Sequence, residues 1–368
     1  MITSRRCRLP ACALLTALLA ASGTTWPAQA HHAPALCTSP RDPAVAARMS
    51  QDIAAALKGR DGTVSLAVHD PRSGLRCRLE DTRLYDSASI AKVLIMQAVL
   101  GRAEELGRAP TRLEAQRMKA MITRSDNTAA SDLWQGLSRA RLNRVLREAG
   151  AQDTVLGHDR YWGLTRTTAR DQLALLAAVS RRTEALTLMG QVVSSQAWGV
   201  TAGAPRTVKV HLKNGWLPRA THEWRVHSIG IVRGTGTGTG STTGTTGTTG
   251  TADTTGSAAA DYRLALLSHD NPTMRYGVRT LEGIAAAVHR GLVGSAAARG
   301  FTPGDRISET PDGSAPHGAP GPLPPTPGDA WPGPRPQEWG TFPGAVPPSR
   351  TARARRRAPR RPRSRPSE

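Results

Sequence analysis

Apolar positions recur with a helical period over 42–58, where Val45, Met49, Ile53 and Leu57 share one face. The period then changes to two: over 62–69, Val64, Leu66 and Val68 alternate with small or polar residues. Pro71-Arg72-Ser73-Gly74 reads as a turn and 75–79 as a returning strand, so the two runs form a hairpin. The stretch 89–106 is apolar nearly all round (Ile90, Ala91, Val93, Leu94, Ile95, Met96, Val99, Leu100), which predicts a helix buried on every side. Further helical patterns cover 113–122, 128–137, 139–148, 168–179 and 184–194. Three strand-like runs follow at 207–213, 224–232 and 262–267, and a last helix at 272–289. Strands at both ends around a block of helices predict an α+β fold with a mostly antiparallel sheet, in which the first and last strands meet.

Three segments fall outside this pattern. The start has a basic region (Arg5, Arg6, Arg8), a largely apolar stretch over 11–21 and the small-x-small site Ala28-Gln29-Ala30, which reads as an export signal over 1–30. Residues 234–257 are almost pure Gly and Thr between two strands, a disordered insertion unable to build a core. From 302 to 368, 17 of the chain's 27 prolines crowd into a segment that ends in an Arg run, the composition of a disordered tail. The folded domain is therefore expected within 31–301. Cleavage at Ala30 leaves Cys37 and Cys77, which in a secreted, extracellular chain are expected to pair; two free buried thiols are the alternative.

The formal net charge of +21 first suggests nucleic acid as a partner. About half of it sits in the first eight residues and in the nine Arg of 350–368, so the body is only mildly basic and no nucleic-acid partner is expected. The Arg tail suits anionic wall polymers instead, or no partner at all. No apolar run approaches the roughly 18 residues of a membrane span. Lysine is rare: five Lys stand against 44 Arg in the whole chain. A Lys in an unusual setting is thus a candidate for what Arg cannot do, which is to lose its proton.

Ser89-Ile90-Ala91-Lys92 is such a setting. Asp86 and Ser87 are cap-type residues, so Ser89 is expected in the first turn of the buried helix with Lys92 on the same face. Burying an ammonium lowers its pKa, and a neutral Lys92 can take the proton of Ser89. An S-x-x-K string alone arises often by chance. Ser125-Asp126-Asn127 between two helices, and Lys213-Asn214-Gly215 at the end of a late strand with Trp216 after it, make the ordered trio of penicillin-recognising serine enzymes.

By these motifs the chain resembles the class A serine β-lactamase and D,D-peptidase-like superfamily over roughly 37–290. Thr167-Thr168-Ala169-Arg170-Asp171 adds to the likeness. The resemblance implies an antiparallel sheet flanked by helices, an all-helical subdomain, and a site between them. It implies Ser89 as nucleophile, Lys92 as base, and Ser125 as proton donor to the leaving nitrogen. Asn127 orients the substrate amide, Lys213 supplies positive field, and the N–H groups of Ser89 and Trp216 form the oxyanion hole. Asn214, Gly215 and Trp216 are the implied substrate-binding residues, for a small β-lactam or a peptidoglycan-like molecule. No cofactor and no metal is implied; His211, His222 and His227 read as surface or pocket-rim residues.

Two departures stand out. Asn214 replaces the hydroxyl residue of K-[TS]-G. The E-x-x-L-N segment, whose Glu activates the deacylating water in class A enzymes, is missing. Glu148 and Glu184 fall on predicted helices, and the loop 152–166 offers only Asp153 and Asp159. The reading is an exported serine hydrolase whose acyl-enzyme is released slowly; the alternative is a non-turnover penicillin-binding or cell-wall-binding module.

Overall fold

The computed structural model describes residues 35–219, 221–235 and 260–293. The export signal, nearly all of the Gly/Thr insertion and the Pro/Arg tail lie outside the described residues. The elements in chain order are β1 (Cys37–Thr38), α1 (Pro43–Leu57), β2 (Thr63–Asp70), β3 (Leu75–Leu79) and β4 (Tyr85–Asp86). Then come α2 (Ala91–Glu105), α3 (Arg112–Thr123), α4 (Asn127–Gln135), α5 (Arg139–Ala149), β5 (Arg166–Thr167), α6 (Ala169–Val179) and α7 (Thr183–Met189). The last are β6 (Val208–Pro218), β7 (Trp224–Gly234), β8 (Asp261–Asn271) and α8 (Met274–Val293).

Six strands form one antiparallel sheet in the order β1-β3-β2-β8-β7-β6, so an early strand and the last strand meet as expected. Alternation sorts each strand between two cores. Leu66, Val68, Leu264 and Leu266 face α1 and α8, packing with Met49, Ile53, Val278, Leu281 and Ile284. Ala67, Ile229, Ile231, Ala265 and Leu267 face the helical block. At its centre lies α2, with eleven of its fifteen residues buried, which is why its sequence shows no polar face. The fold is α+β, a mostly antiparallel sheet flanked by helices. Among the described residues, no helix is long and apolar enough to cross a membrane.

Local rules account for most boundaries. Thr111 and Glu114 form a reciprocal capping box at α3, and Asp126, Ser138 and Thr168 cap α4, α5 and α6. Cys37 and Cys77 are disulfide-bonded, fastening β1 to β3 across a separation of 40 residues; a loop of that length contributes about 4 kcal/mol in the chain-entropy view.

Three expectations are corrected. The helix expected over 184–194 stops at Met189, before Gly190. The run expected at 207–213 continues to Pro218, because Asn214, Gly215 and Trp216 pair with Ser228, His227 and Val226 on β7. Lys213-Asn214-Gly215 therefore lies inside a strand rather than at its end. Asp86 and Ser87 do not cap α2: the helix is entered through a 3₁₀ turn at Ala88–Ile90, and Ser87 makes no capping hydrogen bond. The Asp86 carboxylate instead takes two buried guanidinium groups, Arg219 at 2.8 Å and Arg225 at 3.2 Å.

Candidate active site

Ser89 sits in the Ala88–Ile90 turn, fully buried. Ala88 before it has φ of +46°, a left-handed conformation costly for a residue with a Cβ. Residues held so are concentrated at active sites. The Ser89 hydroxyl is buried and has no hydrogen-bond partner among the described residues. An unsatisfied buried hydroxyl in a native fold calls for a functional explanation.

Strand β6 runs against this turn at Gly215. A Cβ there would lie 2.8 Å from the Ser89 nitrogen and 3.0 Å from that of Ile90. What presses on Gly215, an implied substrate-binding residue, is the backbone of the Ser89 turn itself.

Two buried lysines converge on one hydroxyl. Lys92, one turn along from Ser89, donates to the Ser125 carbonyl (2.7 Å), the Ser125 Oγ (2.9 Å) and the Asn127 Oδ1 (2.7 Å). Lys213 on β6 donates to the same Ser125 Oγ at 2.9 Å and to the Asn214 carbonyl at 2.8 Å. Both side chains are essentially inaccessible to solvent. Ser125 can be reached from both sides because its φ of +58° turns the loop before α4 sharply, with Asp126 as the cap and Asn127 as the first helical residue. A hydroxyl oxygen has two lone pairs. With both taken by amines, its proton points elsewhere. Lys92, Ser125, Asn127 and Lys213 are thus brought together from α2, the α3–α4 loop, the start of α4 and β6, and Ser89 lies three residues before Lys92 in the turn that β6 touches at Gly215.

Asn214 is not part of that convergence. Its amide nitrogen donates to the carbonyls of Gln196 (2.8 Å) and Trp198 (3.1 Å), and its Oδ1 accepts from Ser228 Oγ at 2.6 Å. The side chain pins the 196–198 segment to the sheet. Trp216 is buried edge-on against Trp198, with ring centroids 5.8 Å apart. The resemblance implies Asn214 as a substrate-binding residue; here its side-chain amide and carbonyl are hydrogen-bonded within the chain.

The loop over 152–166 contributes a residue that sequence reasoning missed. Trp162, in the short turn Trp162–Leu164, lays its ring 4.8 Å from the Lys92 nitrogen, while its Nε1 donates to Ser131 Oγ at 3.1 Å. An ammonium over an indole face is stabilised by the ring quadrupole. The acids singled out in the sequence, Glu148, Asp153, Asp159 and Glu184, are all exposed.

The histidines also differ from expectation. His227 is fully buried on β7, donates from Nε2 to the Asp86 carbonyl at 2.8 Å, and is held neutral by burial, its pKa lowered to about 4. His211 is buried too, its Nδ1 2.6 Å from the Leu186 carbonyl. Of these three, only His222 is exposed.

Residues 111–249 match the model of a β-lactamase enzyme family, a span that contains both Ser125-Asp126-Asn127 and Lys213-Asn214-Gly215. A search of curated proteins returns no match. Among solved structures, a β-lactamase from Sphaerobacter thermophilus is similar at 17% identity with a TM-score of 0.50, covering 67% of this chain and 97% of that one. PBP-A is similar at 18% identity and a TM-score of 0.51, covering 66% of this chain and 94% of that one. The TLA-1 extended-spectrum β-lactamase follows at 14% identity and 0.53, covering 67% and 98%. The chain thus shares its fold with these proteins over nearly their full length, and the family match over 111–249 spans two of the three motifs.

Proposed function

We propose that the chain is an exported serine hydrolase that opens β-lactams, or a related amide or ester, through an acyl-Ser89 intermediate that it releases slowly. The observation that carries this reading is the Ser125 hydroxyl held between the Lys92 and Lys213 amines, beside a Ser89 hydroxyl with no partner among the described residues.

The chemistry follows from those positions. Lys92, which donates three hydrogen bonds as the ammonium, first gives up one proton to solvent; as the neutral amine it takes the proton of Ser89 while Ser89 Oγ attacks the lactam carbonyl. In this reading the oxyanion that forms is held by the N–H groups of Ser89 and Trp216, the latter one residue beyond the close approach at Gly215. The carbon–nitrogen bond then breaks. The leaving nitrogen takes the Ser125 proton, and Ser125 is reprotonated from Lys92 across their hydrogen bond. Lys213 adds positive charge where a substrate carboxylate sits. Hydrolysis of the ester needs a second base on a bound water, and help of that kind is worth roughly 10²–10⁴-fold. The loop that would supply it offers Trp162 and exposed acids. A structure of a PBP-A variant is described as an acyl-enzyme complex with penicillin G, an outcome this reading shares. Export rests on the basic and apolar start of the sequence and on the disulfide, a bond that persists in oxidising compartments.

A fluorescent penicillin tests the assignment. Wild type should be labelled, Ser89→Ala should not be, and Lys92→Arg should lose most of the labelling, because Arg keeps the charge but cannot accept a proton. Equal labelling of Ser89→Ala would reject the nucleophile.

A further inference from the structure

Away from Ser89, three metal-ligating side chains meet where the turn between β6 and β7 touches the end of β8. His222 Nδ1 lies 2.9 Å from Asp270 Oδ1, and His269 Nδ1 lies 2.6 Å from Asp270 Oδ2. One donor atom from each of the three residues lies within 4.8 Å of the other two. Thr63 Oγ1 donates to Asp270 Oδ2 at 3.1 Å and fixes the carboxylate from a third strand, β2. The two imidazoles lie against each other, tilted by 38°, with centroids 4.5 Å apart. His222 and Asp270 both carry left-handed φ, +62° and +58°, so the backbone is bent to bring these side chains together. His222 is half exposed, so an ion can enter from solvent. The chemistry assigned to Ser89 uses none of the three.

We propose that His222, His269 and Asp270 form a site for a divalent transition-metal ion, with Zn²⁺ the ion the ligand set suits best. Two neutral imidazoles select zinc, nickel or copper over magnesium and calcium, which prefer all-oxygen shells. Three protein ligands with water in the fourth position is a common open zinc arrangement. Donors about 2.0–2.1 Å from zinc lie at most about 4.2 Å apart. The cluster therefore closes slightly on binding, a movement His222 on its exposed turn supplies by side-chain rotation. The ion replaces the two Nδ1–H···O hydrogen bonds: each neutral ring moves its proton from Nδ1 to Nε2 and presents the Nδ1 lone pair to the ion, so no net proton is released. The ion fastens the β6–β7 turn to β8. It does so next to Tyr85, whose ring lies 4.8 Å from that of His269 and whose strand leads to the Ser89 turn.

The test is Zn²⁺ titration of the full-length, chelator-treated protein, with bound metal counted after equilibrium dialysis, for wild type, His222→Ala and Asp270→Asn. Wild type should bind one equivalent more than His222→Ala at micromolar free Zn²⁺. Both variants should lose at least the roughly 10–100-fold in affinity that removing even an outer-shell partner costs. The exposed position of His222 keeps its variant folded, which circular dichroism verifies. Substituted Co²⁺ should give tetrahedral absorption bands in wild type only, and excess Mg²⁺ should not displace Zn²⁺. Equal stoichiometry and affinity in wild type and His222→Ala, or no binding by wild type at about 100 μM Zn²⁺, overturns the site.

Discussion

At the scale of the residue, the site is defined by what each polar atom is already doing. The Ser125 hydroxyl is shared by two lysines, the Ser89 hydroxyl is unpartnered among the described residues, and the Asn214 amide is spent on the 196–198 segment. The last point yields a prediction. Asn214→Thr, which restores the K-T-G string, leaves the carbonyls of Gln196 and Trp198 without their donors. It should lower stability by about 1–3 kcal/mol and lower the acylation rate rather than raise it; thermal melting and penicillin labelling read both. Unchanged melting would mean that the 196–198 segment does not depend on this side chain. Ser89, Lys92, Ser125, Asn127 and Lys213 can be singled out as candidates in the sequence because each lies in a short string with a local context of helix start, loop or strand. The direction of Asn214 is not legible there, since it depends on Ser228 across a strand pair and on a segment sixteen to eighteen residues upstream. Trp162 over Lys92, and His222 with His269, were hidden for the same reason: nothing local marks a contact between elements so far apart in the chain.

At the scale of the element, the site depends on β6 lying against the 3₁₀ turn that opens α2. Gly215 is where they touch. Gly215→Ala drives a methyl into the backbone nitrogens of Ser89 and Ile90, neither of which can rotate away. Misplacing a nucleophile by about 1 Å costs on the order of 10²-fold, so acylation should fall by at least about that much. Gly283→Ala is the control: its Cβ meets only Ala56, at an ordinary 3.5 Å, and the rate should not change. Comparable rates for both variants would show that the approach at Gly215 is dispensable. Element order and the long helices followed from periodicity, and so did the pairing of the first hairpin. The true length of β6 did not, because Asn214, Gly215 and Pro218 look like strand breakers until β7 is seen to pair with them. Strands β1, β4 and β5 have two residues each, too few to show any period.

At the scale of the whole molecule, a polar network behind the sheet joins α8 to the wall of the site. Glu282 on α8 is buried and accepts from the Gly199 N–H, while Ser228 donates to Asn214 and accepts from the Val200 N–H. Burial pushes the Glu282 carboxyl up to about 7, against the pull of that N–H and of Arg279. A raised folded-state pKa means stability that is fully present below the unfolded value, near 4.3, and lost as pH rises through 7. Glu282→Gln keeps an acceptor for Gly199 and removes the titration. Urea unfolding should therefore show the variant more stable than wild type at pH 8 by up to about 3 kcal/mol, with little difference at pH 4; parallel pH profiles would contradict it. The central claim, that the molecule acylates readily and deacylates slowly, is tested most directly by mixing full-length protein with a chromogenic cephalosporin and following product together with the intact protein mass. The account predicts a burst of about one product per enzyme, a much slower second phase, and a mass adduct that persists through it and is absent in Ser89→Ala. Steady turnover near the median enzyme's roughly 10 s⁻¹, with no burst and no adduct, would contradict it.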